Sequence, residues 1–131
     1  MNLLLDTHIA LWAVTDDARL RPVARDHLNA PEVRIFVSVV TIWEIAIKHP
    51  LKRRGDPIAI PGRRARELFG YSNFTILPVT AEHAAAVDDL PPIHGDPFDR
   101  MLVAQALTEP MRLLTRDARL TEYGKNLIIP A

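Results

Sequence analysis

Residues Asn2–Leu5 form a short apolar run that stops at an acid, Asp6, and the same unit of a brief apolar run followed by a helical stretch recurs along the chain. Arg34–Val37, Phe74–Leu77, Arg112–Leu114 and Leu127–Ile129 read as further strands. Runs this short suit strands buried on both faces. Between them, helical spacing predicts helices over Thr7–Val14, Pro22–Asn29, Arg63–Phe69, Ala81–Asp89, Pro97–Leu107 and Ala118–Tyr123. A further helix runs to about Lys48, with Ser38 as its N-cap and Ile42, Ile45 and Ala46 inward. Pro22 fits a first helical turn, and Pro50 stops the helix before it. Parallel neighbours need a crossover connection, so this alternation points to an α/β chain with a parallel sheet covered on both faces. In such sheets ligands gather beyond the carboxyl ends of the strands.

The 131 residues suit one domain spanning 1–131, and 48% hydrophobic content with 24% charge is ordinary for a globular chain. The absence of cysteine excludes a disulfide framework, a Cys-ligated metal and a thiol nucleophile, and it fits a cytoplasmic location. The opening MNLLLDTHIALWAV is interrupted by Asp6 and His8, so it reads as strand then helix and not as a signal peptide; no apolar run is long enough to span a membrane. Net charge is zero, yet its distribution is uneven. Lys48, Lys52, Arg53, Arg54, Arg63, Arg64 and Arg66 stand against a single acid, Asp56, in that stretch. Such a cluster is either a solvated loop or a basic rim for a polyanion. Leu51–Gly62, rich in Pro, Gly and charge, reads as a loop.

Acids fall where the sheet places function. Asp6 closes the first strand, Asp117 lies just beyond the fourth, and Asp99 is in the first turn of the helix before it. Glu44 joins them if its helix leans over the same end. Hard divalent cations take oxygen ligands, and crowded carboxylates need a cation or a proton. Each acid also has a local structural reading. Asp6 could cap the first helix, Asp117 the short helix after the fourth strand, and Thr41–Glu44 matches a capping box. Asp96-Pro97-Phe98-Asp99 looks like an N-cap, a Pro at N1 and an acid at N3, and that reading is adopted for Asp96. Glu44, among Trp43, Ile45, Ala46 and Ile47, would be costly without a partner.

Leu4-Leu5-Asp6-Thr7-His8, Ser38 followed by Glu44-Ile45-Ala46, Asp96-Pro97-Phe98-Asp99-Arg100-Met101-Leu102 and Leu114-Thr115-Arg116-Asp117 resemble, in order and spacing, the PIN-domain family, and among its members VapC-type toxins of bacterial toxin–antitoxin pairs. The likeness spans nearly the whole chain, and its most specific piece is the Asp96–Arg100 segment. It implies a three-layer α/β/α sandwich around a parallel sheet of four to five strands, and Mg²⁺- or Mn²⁺-dependent endoribonuclease activity. It also implies a homodimer and a cognate antitoxin partner. Carried over by position, Asp6, Glu44, Asp99 and Asp117 become the catalytic, metal-binding acids. Thr115, Asp96 and Thr7 become polar groups standing behind them.

The basic residues Lys52, Arg53 and Arg54 become candidates for RNA contact. Trp12 and Trp43 read as core or interface packing, and a groove near them is the expected seat of an antitoxin helix. His8 reads as a packing or capping side chain, His94 has no assignable chemistry, and Arg100 is expected to pair with a nearby acid. Two other functions stay open at this point. One is a metal-dependent phosphatase or phosphotransfer domain with Asp6 as nucleophile, against which stands His8 where a D-x-D pair needs an acid. The other is a catalytically silent binding module of the same fold. No G-x-G-x-x-G or P-loop occurs.

Overall fold

The computed structural model describes residues 1–51 and 59–131. Five strands, β1 (Asn2–Leu5), β2 (Arg34–Ser38), β3 (Thr75–Leu77), β4 (Arg112–Thr115) and β5 (Ile128–Pro130), form one sheet in the order β3-β2-β1-β4-β5. Every neighbouring pair is parallel. The helices are α1 (Thr7–Val14), α2 (Pro22–Leu28), α3 (Val39–Lys48), α4 (Gly62–Tyr71), α5 (Ala81–Ala86) and α6 (Pro97–Thr108).

Side-chain alternation along the strands sorts the core into two layers. Leu3, Leu5, Val37, Leu114 and Ile129 pack on one face with Ile9, Trp12, Ala24 and Phe69, which come from α1, α2 and α4. Leu4, Phe36, Leu113 and Ile128 pack on the other with Leu102, Val103 and Ala106 of α6. The result is the expected α/β/α sandwich, with Leu3, Leu4 and Leu5 of β1 fully buried at its centre.

The chain steps outward from β1 to β2 and β3, then returns to lay β4 on the other side of β1. The strand order therefore reverses between β1 and β4, and a crevice opens beyond their carboxyl ends. Asp6 follows β1 at this point and Asp117 follows β4.

Several boundaries differ from the sequence reading. The segment expected as one helix to Asp89 breaks after Ala86 into a 3-10 turn, Val87–Asp89, and the short helix expected at Ala118–Tyr123 is a 3-10 turn over Leu120–Tyr123. A 3-10 turn, His49–Leu51, follows α3. The Thr41–Glu44 capping box does not form, because Ser38 already caps α3 by accepting from the Val40 N–H, which leaves Thr41 inside the helix. Gly62 is not loop but the first residue of α4. A Cβ there would lie 2.9 Å from the Ala46 Cβ and 3.1 Å from the Ile42 carbonyl oxygen, so the missing side chain is what lets α4 approach α3.

Candidate metal centre and active site

The carboxyl end of the sheet is held by bonds that also aim its acids. The Asp6 N–H donates to the Leu114 carbonyl (3.0 Å), tying the end of β1 to that of β4. The Asp6 side chain caps α1 by accepting from the His8 N–H at 3.2 Å, and its other oxygen accepts from the Thr115 hydroxyl at 2.5 Å. Burial pushes the Asp6 carboxyl above the usual carboxylate range, against the pull of the Thr115 bond.

Glu44 is buried on α3 and both its oxygens are engaged. The Thr7 hydroxyl donates to Oε1 at 2.7 Å, and Lys48, one helical turn on, donates to Oε2 at 2.6 Å. This pairing is how an acid survives in an apolar setting. Burial alone would lower the Lys48 ammonium, but the bond to Glu44 and the charges of Asp96 and Asp99 leave it raised.

Asp96 caps α6 by accepting from the N–H groups of Phe98 (2.8 Å) and Asp99 (3.2 Å). That places Asp99 in the first helical turn, facing the crevice. Its carboxyl is pushed up to about 7, chiefly by burial and then by the charges of Asp6 and Asp96. Asp117 behaves oppositely. Burial works against its charge, but hydrogen bonds from His94 (2.9 Å) and the Arg119 N–H (2.9 Å) outweigh it, so its carboxyl sits low. The Asp117 N–H in turn donates to the Thr115 hydroxyl at 3.0 Å.

Asp6, Glu44, Asp96, Asp99 and Asp117 thus line one cleft, with Lys48 and Arg116 as its cations and His8 and Trp12 at its edge. Tightest is a group formed by His94, Asp99 and Asp117, whose ligand-type atoms lie within 4.8 Å of one another. A divalent cation fits the carboxylates of Asp6, Asp99 and Asp117 in this cleft. The oxygens are hard, and Asp99, raised to about 7 by burial and then by the charges of Asp6 and Asp96, is a carboxyl whose ionised form a cation would stabilise.

The four acids named from the sequence therefore share one cleft, and Thr7 and Thr115 stand behind Glu44 and Asp6. Lys52, Arg53 and Arg54 lie outside the described residues. Lys48, which the sequence groups with the basic cluster, lines the acidic cleft. Its position four residues after Glu44 was the available signal. Arg63, Arg64 and Arg66 are exposed on α4, where Arg64 pairs with Glu67 at 2.9 Å.

Other expectations need correction. Among the described residues Arg100 pairs with no acid; its guanidinium donates to the carbonyls of Val87, Pro91 and His94. Of the core or interface packing expected for Trp43 only the core alternative is excluded: the side chain is exposed, edge-on to Phe98 at 5.2 Å between ring centroids. Trp12 is buried with the guanidiniums of Arg19 and Arg116 over its ring, each 5.5 Å from its centroid. Trp12 borders the acidic cleft, and Trp43 is not among that cleft's lining residues. The apolar groove beside Glu44 is lined by Leu11, Ile45 and Ile60, because the turn of α3 that buries Ile45 carries Trp43 outward. His8 is exposed, its ring tilted against Trp12 at 5.6 Å.

Comparison with known proteins agrees with this fold. The chain is 27% identical over 122 residues to Ribonuclease VapC22 of Mycobacterium tuberculosis, covering 93% of this chain and 92% of that one. Its fold is similar to that in a DNA-bound crystal structure of VapBC2 from Rickettsia felis (TM-score 0.72, 16% identity, 100% of this chain and 99% of the other). A similar likeness holds for DNA-bound VapBC from Salmonella typhimurium (TM-score 0.67, 17% identity, 99% and 98% covered). The PIN domain profile matches residues 3–126, and the chain belongs to the PIN-domain family.

Proposed function

We propose that this protein is a divalent-metal-dependent endoribonuclease, the toxin of a toxin–antitoxin pair, acting in the cytoplasm. The observation that carries the reading is the cleft itself, in which Asp6, Glu44, Asp99 and Asp117 meet at the β1/β4 switch point and burial among other acids holds Asp99 at about 7. The VapC22 likeness supplies RNA as the substrate. No helix among the described residues is long and apolar enough to cross a membrane.

Asp6, Asp99 and Asp117 offer oxygens to Mg²⁺ or Mn²⁺, and Glu44 stands beside them with Lys48 as its counter-charge. A cation held by these residues would lower the pKa of water and neutralise charge on the scissile phosphate. Thr115 and Thr7 fix the carboxylates of Asp6 and Glu44, and Asp96 fixes the start of α6. Arg116 and Lys48 are the charges in the cleft suited to RNA phosphates, and Lys52, Arg53 and Arg54 extend that role by composition. Against Asp6 as an aspartyl nucleophile stands His8, where a D-x-D pair needs an acid.

Protein partners follow from the apolar surface. Val39, Trp43 and Ile47 recur every fourth residue on the exposed side of α3, a face for a second copy of this chain. The groove lined by Leu11, Ile45 and Ile60 suits an antitoxin helix that ends close to Glu44. The deciding experiment incubates a mixed RNA pool with the purified protein in Mn²⁺ or in EDTA. Hydrolysis that leaves 5′-phosphate and 3′-hydroxyl ends, and that requires the metal, is expected. A 2′,3′-cyclic phosphate formed in EDTA would overturn the reading.

A further inference from the structure

We propose that His94 is a positioning residue of this cleft, holding Asp117 as a hydrogen-bond donor through Nε2–H, with Asp99 alongside, and not serving as a metal ligand. The inference rests on the metal-dependent reading above and deepens it.

The placement of three ligand-type atoms of His94, Asp99 and Asp117 within 4.8 Å would by itself suggest a His-Asp-Asp metal site. The other ring nitrogen argues otherwise. Nδ1 lies 3.0 Å from the Asp96 backbone nitrogen, and an N–H can only donate, so Nδ1 carries the lone pair. In the neutral imidazole the proton is then on Nε2. Nε2 faces an oxygen of Asp117 at 2.9 Å and one of Asp99 at 3.4 Å. Turning Nε2 into a ligand would move its proton to Nδ1, against the hydrogen of the Asp96 amide. That amide cannot move aside cheaply, because the Asp96 side chain caps α6 through Phe98 and Asp99.

The loop that carries His94 is clamped as well. Arg100, one residue after Asp99, donates to the carbonyls of Val87 (3.2 Å), Pro91 (3.3 Å) and His94 (3.3 Å). Helix α6 therefore supplies Asp99 directly and, through Arg100 and the loop, holds the imidazole that reaches Asp117 beyond β4. The His94 side chain is only 3% exposed, so water competes little for its donor. Metal-ligating histidines are commonly oriented by a carboxylate behind them. Here the roles are exchanged, with a histidine behind the carboxylates.

The test uses ¹⁵N-histidine NMR and metal calorimetry on the purified protein. In the metal-free protein His94 is expected to show protonated Nε2 and unprotonated Nδ1, and saturating Mg²⁺ leaves that unchanged. Transfer of the proton to Nδ1 on adding Mg²⁺ would make His94 a ligand and overturn the proposal. His94→Asn keeps an acceptor for the Asp96 N–H but loses the donor to Asp117. Its Mn²⁺ affinity should fall roughly ten- to a hundredfold, the scale of losing an orienting partner, with the melting temperature near that of the wild type. His94→Gln, whose amide N–H can reach Asp117, should recover part of the loss. Wild-type Mn²⁺ affinity in His94→Asn, or no recovery in a folded His94→Gln, would sink the idea. Absence of Mn²⁺ binding by the wild type would instead refute the metal-dependent reading, and the tautomer would then alone decide whether His94 is a donor.

Discussion

Two buried histidines in this fold are built alike. In both His83 and His94, Nδ1 accepts a backbone N–H at 3.0 Å, from Thr80 and from Asp96 respectively. In both, Nε2 meets a carboxylate, Glu109 for His83 and Asp117 for His94. The surroundings differ. His83 completes the capping box of α5, and its one acid is the residue that ends α6, so the pair staples α5 to the end of α6. His94 faces two acids in a cleft that holds three more. A buried histidine–carboxylate pair is thus no sign of chemistry in itself. The surplus of acids, more than the local cations and donors can satisfy, is what separates the second site from the first.

The sharpest way to break this comparison is to remove the surplus. Asp99→Asn or Asp6→Asn should lower RNA cleavage by more than the roughly ten- to hundredfold expected for loss of an orienting partner. Thermal stability without metal should hold or rise, because each change removes a raised, repelled carboxyl. A variant that fails to fold would return that acid to a structural role. The staple should behave in reverse. His83→Ala leaves Glu109 and the Thr80 N–H without their partner and should cost about 2 kcal/mol in urea unfolding, while the folded fraction cleaves RNA as the wild type does.

The same contrast is legible in pH. Asp99 titrates near 7 in the folded chain and near 3.8 in the unfolded one, so the folded state binds the extra proton. Its contribution is favourable at low pH and is lost as pH rises through that window. Asp6, also raised, has the same sign. Asp117, held low, acts only below its ordinary range and does not oppose them between pH 5 and pH 8. Metal-free protein should therefore be more stable at pH 5 than at pH 8, by about 1–2 kcal/mol once screening in an open cleft is allowed for. Asp99→Asn should flatten that slope, and Mg²⁺ should restore stability at pH 8. A slope unchanged by Asp99→Asn would place the repulsion elsewhere.

How far the sequence anticipates this structure depends on whether the signal is local. Strand order of appearance, the Ser38 and Asp96 caps and the four acids were legible, because apolar runs, caps and strand-end positions are written in adjacent residues. The 3-10 endings after α5 and β4 were not, since a terminal turn tightens according to what it packs on. Gly62 looked like loop because its reason, the approach of Ala46 on another helix, lies outside its own segment. His94 and Arg100 were silent for the same cause. Their partners are carbonyls and acids brought near only by the fold.

The smallest expected effect separates two roles within one residue, Asp96, which touches both His94 and the acid surplus. Its side chain caps α6, and its charge helps to raise Asp99. Asp96→Ala removes both and should cost about 1 kcal/mol of stability for the lost cap, with cleavage falling less than in Asp99→Asn. Asp96→Ser keeps a capping oxygen and removes only the charge. Stability should then stay within a few tenths of a kcal/mol of the wild type. The Asp99 carboxyl, relieved of one like charge, should titrate lower, which carbonyl ¹³C NMR in metal-free protein can follow. If Asp96→Ser abolishes cleavage as fully as Asp99→Asn does, Asp96 acts on the metal itself, and its place behind the site must be given up.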